Sequence, residues 1–266
     1  MGDISIYARL LWAQVRSYTA YRGSFAIDLA ANALAPLLDV ATIIVLFQVT
    51  PDIGGFRADE VLVMFGLAAL SFALADVAVG QIEKLRLYVR TGQLDAALVR
   101  PLSVLGQLLC ADLPLRKVSR IGVAFVILAI AVSRAPIELT PARLALLAVA
   151  PVAGAVLFGA IFVATATVAF WWIDSGEFAN AFTYGGRDFT SFPVTVYGPA
   201  FRYLFAYGLG FAFVAYYPTL ALLGRPDPLG APALVAWSSP AVAVLAALLA
   251  GAIWRFGVRR YRSTGS

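Results

Sequence analysis

A chain of 266 residues that is 61% hydrophobic and 13% charged lies far from an ordinary soluble domain, which runs about 45–50% apolar and about 25% charged. With no histidine and a single cysteine, Cys110, the sequence excludes an intrachain disulfide, the usual zinc-ligand sets and the Ser-His and Cys-His dyads of nucleophilic enzymes. The net charge of +5 requires no nucleic-acid partner, because the basic residues form no separate domain and anionic lipid headgroups account for them.

Residues 1–22 carry Asp3, Arg9, Arg16 and Arg22 and lack an uninterrupted apolar core, so they do not read as a cleaved leader. Ile6 stands where a myristoylation signal needs Ser or Thr. Ile4, Tyr7, Ala8, Leu11, Val15 and Tyr18 recur at helical spacing, with Arg9, Gln14, Arg16 and Ser17 mostly elsewhere around the helix. That pattern predicts an amphipathic helix lying in the headgroup layer, either as a plain anchor or as a part that moves with the first span.

A bilayer core of about 30 Å needs about 20 apolar residues in a helix. Six stretches satisfy or approach this: 29–49, 61–80, 113–132, 144–172, 203–223 and 234–254. At the start of the third, Pro114, Arg116, Lys117 and Arg120 crowd together and are expected to snorkel toward the headgroups. The fourth is too long for a straight crossing, so a tilt or a bend near Pro151 and Gly154 is expected. Because the runs are continuous rather than alternating, helices are favoured over a barrel. The reading is an all-α membrane protein of six transmembrane helices preceded by the interfacial helix.

Orientation follows from the basic residues, which favour cytoplasmic loops. With the N-terminus inside, all 20 lysines and arginines except Arg57, Arg134, Arg143 and Arg225 fall in cytoplasmic segments. Both termini are therefore expected in the cytoplasm.

Asp39 lies near the middle of the first span, where an ionisable residue is a functional hypothesis by default. A structural partner or a locally wet cavity is one reading; a pathway or gating role is the other. Asp28 and Asp76, nearer the cytoplasmic ends, are expected to be more easily solvated. The long connection 83–117 is placed in the cytoplasm, with Thr91 capping a short helix that begins near Gln93 and stops before Pro101. Asp95 and Arg100 would face outward from it, as part of a solvated loop or as a docking surface. In 174–197 the pair Gly185 and Gly186, followed by Pro193, is expected to break any single long helix, leaving a cytoplasmic connector or a second docking contact. Gly224, Pro226, Pro228, Gly230 and Pro232 predict a tight extracellular turn, with Tyr216 and Trp237 at interfacial depth.

Several short motifs occur in order: TGQLD (91–95), RPL (100–102), FTYGGRDFTSFPVTVY (182–197), AYYPTLALLGRPDPLG (215–230) and RRYRSTGS (259–266). Together they resemble the permease subunits of type-2 ABC exporters, in the branch of about 260 residues with six spans. The resemblance implies a multi-pass protein of the bacterial plasma membrane whose loop 83–117 carries a coupling helix for a separate P-loop ATPase. The matched positions are Thr91, Gly92, Gln93, Leu94, Asp95, Arg100, Pro101 and Leu102. It also implies a second permease, a sister chain or another copy, and no cofactor on this chain, with ATP and magnesium held by the partner ATPase. The sequence agrees on one point directly: no G-x-x-x-x-G-K-[ST] string occurs, and the only lysines, Lys84 and Lys117, are followed by Leu and Val, so no phosphate-cradling loop is present. A secondary transporter driven by an ion gradient, with a proton carried on Asp39, is the alternative. A lipid-modifying enzyme ranks last, for want of a clustered nucleophile, base or metal set.

Overall fold

The computed structural model describes residues 22–110 and 115–261, so the interfacial helix expected before Arg22 lies outside the described residues. Among the described residues the regular elements are helices, with no strand. In chain order they are α1 (Arg22–Val49), α2 (Ala58–Val79), α3 (Leu85–Arg90), α4 (Gln93–Leu98), α5 (Val104–Cys110), α6 (Leu115–Arg134), α7 (Pro141–Thr167), α8 (Gly176–Thr190), α9 (Pro199–Phe201), α10 (Tyr216–Leu223) and α11 (Ser239–Arg260). A 3-10 turn, Gly80–Lys84, joins α2 to α3, and a π-helix, Arg202–Gly208, continues α9. Among the described residues four helical stretches are each long and apolar enough to cross a membrane: 30–49, 58–90, 141–170 and 239–260.

The starts of the long helices follow from local chemistry. Before α2, the Glu60 carboxylate accepts the Arg57 backbone N–H at 2.8 Å, and Asp59 and Glu60 place negative charge in the first turn, where the helix dipole favours it. Before α7, the Thr140 hydroxyl accepts the Arg143 N–H at 3.4 Å and Pro141 opens the helix, a position that needs no N–H donor.

The middle of the bundle is formed by α2 and α7, which are apolar around most of their circumference, as helices enclosed by other helices are. Phe72 of α2 meets Phe158 of α7 edge-on at 5.3 Å. α11 lies along α7, α6 along α2, and α1 leans on α6 and α2. In α7 the helix runs through Pro151 without interruption, and Gly154 packs so closely on Ser71 and Val214 that a methyl group there would collide with the Ser71 hydroxyl.

Two ends of the bundle are defined by contacts between loops. At one, here called the basic end, Arg90 pairs with Asp174 at 2.9 Å and Tyr261 packs at a tilt on Phe170 at 5.7 Å. At the other, the far end, a tight turn at 50–57 closes with paired bonds between Ile53 and Phe56 at 3.0 and 3.1 Å.

These landmarks correct the expected route of the chain after α7. Asp174 sits at the basic end, whereas the Thr195 hydroxyl donates to the Gly54 carbonyl at 2.7 Å at the far end. The segment between them is therefore a passage from end to end, not a connector confined to one side. Gly185 and Gly186 do not break it, because α8 runs through both. A Cβ on Gly186 would lie 2.3 Å from the Phe211 ring, so glycine serves close packing there, and the helix stops only ahead of Pro193.

The stretch 203–223, expected to be a span, instead folds back. It turns at Gly210, whose φ is 79°, and its two helical halves, 199–208 and 211–223, are bent by 65°. After the second half, Arg225 pairs with Glu60 at 2.6 Å and donates to the Gly55 carbonyl at 3.1 Å. Entry and exit thus hang from the same 50–57 turn. Tyr216, expected at interfacial depth, is buried and donates its hydroxyl to Asp227 at 2.6 Å. The Asp227 carboxylate also accepts the backbone N–H groups of Leu229 and Ala231, which holds the Gly-Pro-rich turn. Trp237 is 42% exposed.

Candidate functional site: a polar groove between α1 and α8

α1 packs on α6 and α2, and α8 packs on α7 and α2, so α2 is the wall they share. Across that wall the Asp39 carboxylate of α1 and the Arg187 guanidinium of α8 meet at 2.6 Å. Arg187 passes over Phe72, 5.9 Å from its ring centroid. At 1.5 Å per residue, Asp39 lies about 15 Å below Val49 and Arg187 about 16 Å from Gly176, both near the middle of a 30 Å core. The pair is not sealed inside the chain, since 45% of the Asp39 side chain and 24% of the Arg187 side chain are exposed. Asp188, the next residue on α8, is exposed within electrostatic reach of both.

Toward the basic end the groove becomes a network of charges. The Asp76 carboxylate, fully buried on α2, takes Lys117 at 2.5 Å and Arg120 at 3.3 Å from α6. Arg120 also donates to the Asn32 side-chain oxygen of α1 at 2.8 Å. This reverses two expectations. Asp76 is not solvated at a membrane surface, and Lys117 and Arg120 do not snorkel outward; each turns inward because a buried carboxylate without a cation costs more than drawing two long side chains into the bundle. Tyr184 of α8 packs at a tilt on Phe72 at 5.5 Å, and next to it Glu83, Arg86, Ser175 and Asn180 line a cavity of about 200 Å³. Asn32, Asp76, Tyr184, Arg187 and Asp39 thus run as one polar strip from the basic end to mid-depth.

The expected coupling residues gather at the basic end, outside the groove. α4 begins at Gln93, but Thr91 does not cap it: its hydroxyl donates back to the Leu87 carbonyl of the preceding helix at 2.9 Å. Gly92, with φ 69°, takes the cap position, a left-handed conformation that threonine resists. Leu94 is buried beneath the helix, while Leu98 is 38% and Val99 84% exposed at its tip, followed by exposed Arg100 and Pro101. The Leu102 N–H donates to the Arg100 carbonyl at 2.8 Å, and Gln107 ties the segment down by donating to the carbonyls of Ala97 and Leu102 at 3.0 and 3.2 Å. Asp95 faces Tyr261 at the end of α11, where burial first and the Asp95 carboxylate second raise the phenol's pKa. The structure therefore separates the sequence candidates into a surface knob (Thr91 to Leu102) and a mid-depth residue, Asp39. Asp28 falls where side chains lie outside the description.

Sequence reasoning missed Asp76, Lys117, Arg120, Arg187 and Asp188 as parts of one groove. The available signal was the number of ionisable residues in α8, which a span facing only lipid would not tolerate. Among the described residues no cluster of three or more acidic, cysteine or histidine side chains could hold a metal.

A family model described as "ABC-2 family transporter protein" matches residues 33–265. No curated protein and no solved structure matches the chain.

Proposed function

The chain belongs to the ABC-2 transporter family and is a membrane permease component of an ABC transporter; on that premise we propose that it forms the translocation path of an ATP-driven exporter and takes its power from a separate ATPase at α4. The observation that carries the coupling half of this reading is the tip of α4, where Leu98, Val99, Arg100 and Pro101 stand exposed at the basic end. Exposed apolar groups beside a charge on a tethered short helix match the make-up of a protein contact, with an apolar centre and a polar rim. The excess of basic residues at that end supports a cytoplasmic location for it, where a P-loop ATPase with ATP and magnesium has access. On this topology the six crossings are those of α1, α2 with α3, α6, α7, α8 and α11, and 199–223 is a fold-back on the outer side.

The path is assigned to the groove between α1 and α8. A charged pair left partly exposed at mid-depth is costly against lipid tails, which favours a second permease, another copy or a sister chain, covering that face and enclosing water. The ion-driven alternative is weakened because Asp39 is engaged with Arg187 rather than presented alone to a travelling proton.

The test replaces Asp95 and Arg100 by alanine together, with Tyr261→Phe as a control for the Asp95 contact. The double variant is expected to weaken capture of the ATPase about tenfold or more, roughly 1.4 kcal/mol, or to leave ATP hydrolysis running without transport. Wild-type binding and coupling in the double variant would refute the assignment of α4.

A further inference from the structure

The side of α8 turned away from the bundle carries Glu177, Phe178, Ala181, Gly185 and Asp188 as one exposed helical stripe. Gly185 has nothing within 4 Å of the place a Cβ would occupy, so the stripe is shallow in the middle and ends at a carboxylate. Asp188 lies about 18 Å along the helix from Gly176, close to mid-depth.

The described cations of the groove are already engaged. Arg187 is committed to Asp39, Lys117 and Arg120 to Asp76 nearer the basic end, and Arg225 to Glu60 at the far end. Asp188 makes no ion pair among the described residues, although it lies near Arg187, Asp39 and Tyr197. Arg202, the next cation along the chain, is spent on the Tyr197 carbonyl at 2.9 Å, so Asp188 has no cation committed to it among the described residues. A second copy of the chain would bring the same unpaired carboxylate with it.

Rings flank this stripe. Trp172 contacts Phe178 at 6.3 Å, Phe178 contacts Phe182 at 4.9 Å, Phe182 stacks on Phe205 at 6.1 Å, and Phe205 stacks on Phe201 at 4.2 Å. Trp172, Phe178 and Phe201 are each 40% exposed or more. This series runs from the loop at the basic end toward the far end, and it is linked to the carboxylate through Tyr197, which packs on Phe201 at 5.5 Å and lies within electrostatic reach of Asp188. Aromatic faces attract cations, and more strongly where water is scarce.

We propose that this face of α8 is a subsite for an amphipathic organic cation, whose charge rests at Asp188 and whose apolar body lies along Phe178, Phe182 and Phe201. The assignment rests on the reading of the α1–α8 groove as the translocation path. It deepens that reading by giving the path a charge preference, in which bulky cations are accepted and anions of equal shape are repelled.

The experiment uses the full transporter reconstituted in nanodiscs and two probes of nearly identical shape and opposite charge, tetraphenylphosphonium and tetraphenylborate. The wild-type protein is expected to bind the cation at least about tenfold more tightly than the anion after subtraction of binding to empty discs. Asp188→Asn should erase that preference and Asp188→Glu should keep it. Separately, in a Cys110→Ser background, Asp188→Cys is expected to react with a hydrophilic sulfonated thiol reagent. Reaction at 188 together with equal affinity for both probes, or with an undiminished preference in Asp188→Asn, overturns the cation subsite and leaves the path standing. No reaction at 188 in assembled protein overturns both. The comparison of probes on the wild-type protein keeps the test decisive if a variant fails to assemble.

Discussion

The two adjacent glycines of α8 make opposite predictions, and comparing them measures packing with backbone flexibility cancelled. Alanine in a helix interior is favoured over glycine by about 0.8–1 kcal/mol. At Gly185 nothing stands in the way of a methyl group, so Gly185→Ala should collect that gain. At Gly186 the new Cβ would fall 2.3, 2.7 and 3.1 Å from three carbons of Phe211, whereas carbon atoms rest about 3.5–4.0 Å apart. Phe211 cannot swing clear, because it is 1% exposed and enclosed by Phe158, Phe189 and Phe205 at 5.9, 6.1 and 6.4 Å. Overpacking of this kind costs about 1–3 kcal/mol. Since the helical gain is common to both variants, that cost is also the expected difference between them. It corresponds to roughly 2–12 °C in melting temperature at 2–4 °C per kcal/mol, with Gly186→Ala the less stable. Thermal unfolding followed by fluorescence-detected gel filtration in one detergent would measure it. Equal melting temperatures for the two alanine variants would show that α8 does not pack on the fold-back through Gly186, and the rerouted passage described above would lose its support.

The charge network of the groove offers another prediction. Asp76→Asn leaves Lys117 and Arg120 facing a neutral amide, and breaking a buried pair costs about 3–5 kcal/mol; the lower figure is expected, since both cations are partly exposed, and adding Lys117→Met should restore part of the lost melting temperature. At the far end, Glu60→Ala removes the acceptor of both Arg225 and the Arg57 N–H. Hydrogen bonds to charged groups contribute about 1.5–3 kcal/mol, so amide exchange should quicken about tenfold or more at 50–57 and 224–231, with α4 unchanged as the internal control.

Much of this was readable in the sequence, and the failures have specific physical origins. Apolar runs locate α1, α2, α7 and α11 because each presents hydrocarbon on most sides. α8 escaped because its polar residues, Asn180, Thr183, Tyr184, Arg187 and Asp188, break every apolar window, although they are what a helix bordering a wet groove requires. Conversely, 203–223 imitated a span, since a segment that dips into a bundle and returns must be as apolar as one that crosses. Hydropathy reports the surroundings of a residue and not the direction in which the chain travels. Lys117 and Arg120 were misdirected for a related reason: the carboxylate that draws them inward belongs to another helix more than forty positions earlier. Thr91 is a good capping residue, and only the backbone geometry at Gly92 reveals that its hydroxyl is used one turn back.

The ties at the far end bear on how the molecule can move. Thr195, Arg225 and Glu60 all converge on a single turn of eight residues, 50–57, and so strap together the top of α8, the return of the fold-back and the start of α2. α1 runs directly into the same turn, where the Thr50 N–H donates to the Leu46 carbonyl at 3.1 Å, and it is tied sideways through Asn32 to Arg120 and through Asp39 to Arg187, while its outward face shows Leu34, Leu37, Leu38, Val45 and Val49 to its surroundings. On the coupling proposed above, a thrust applied at α4 would enter a body clamped at its far end by these ties. Any opening of the path between α1 and α8 would then have to stretch the crossbar between Asp39 and Arg187.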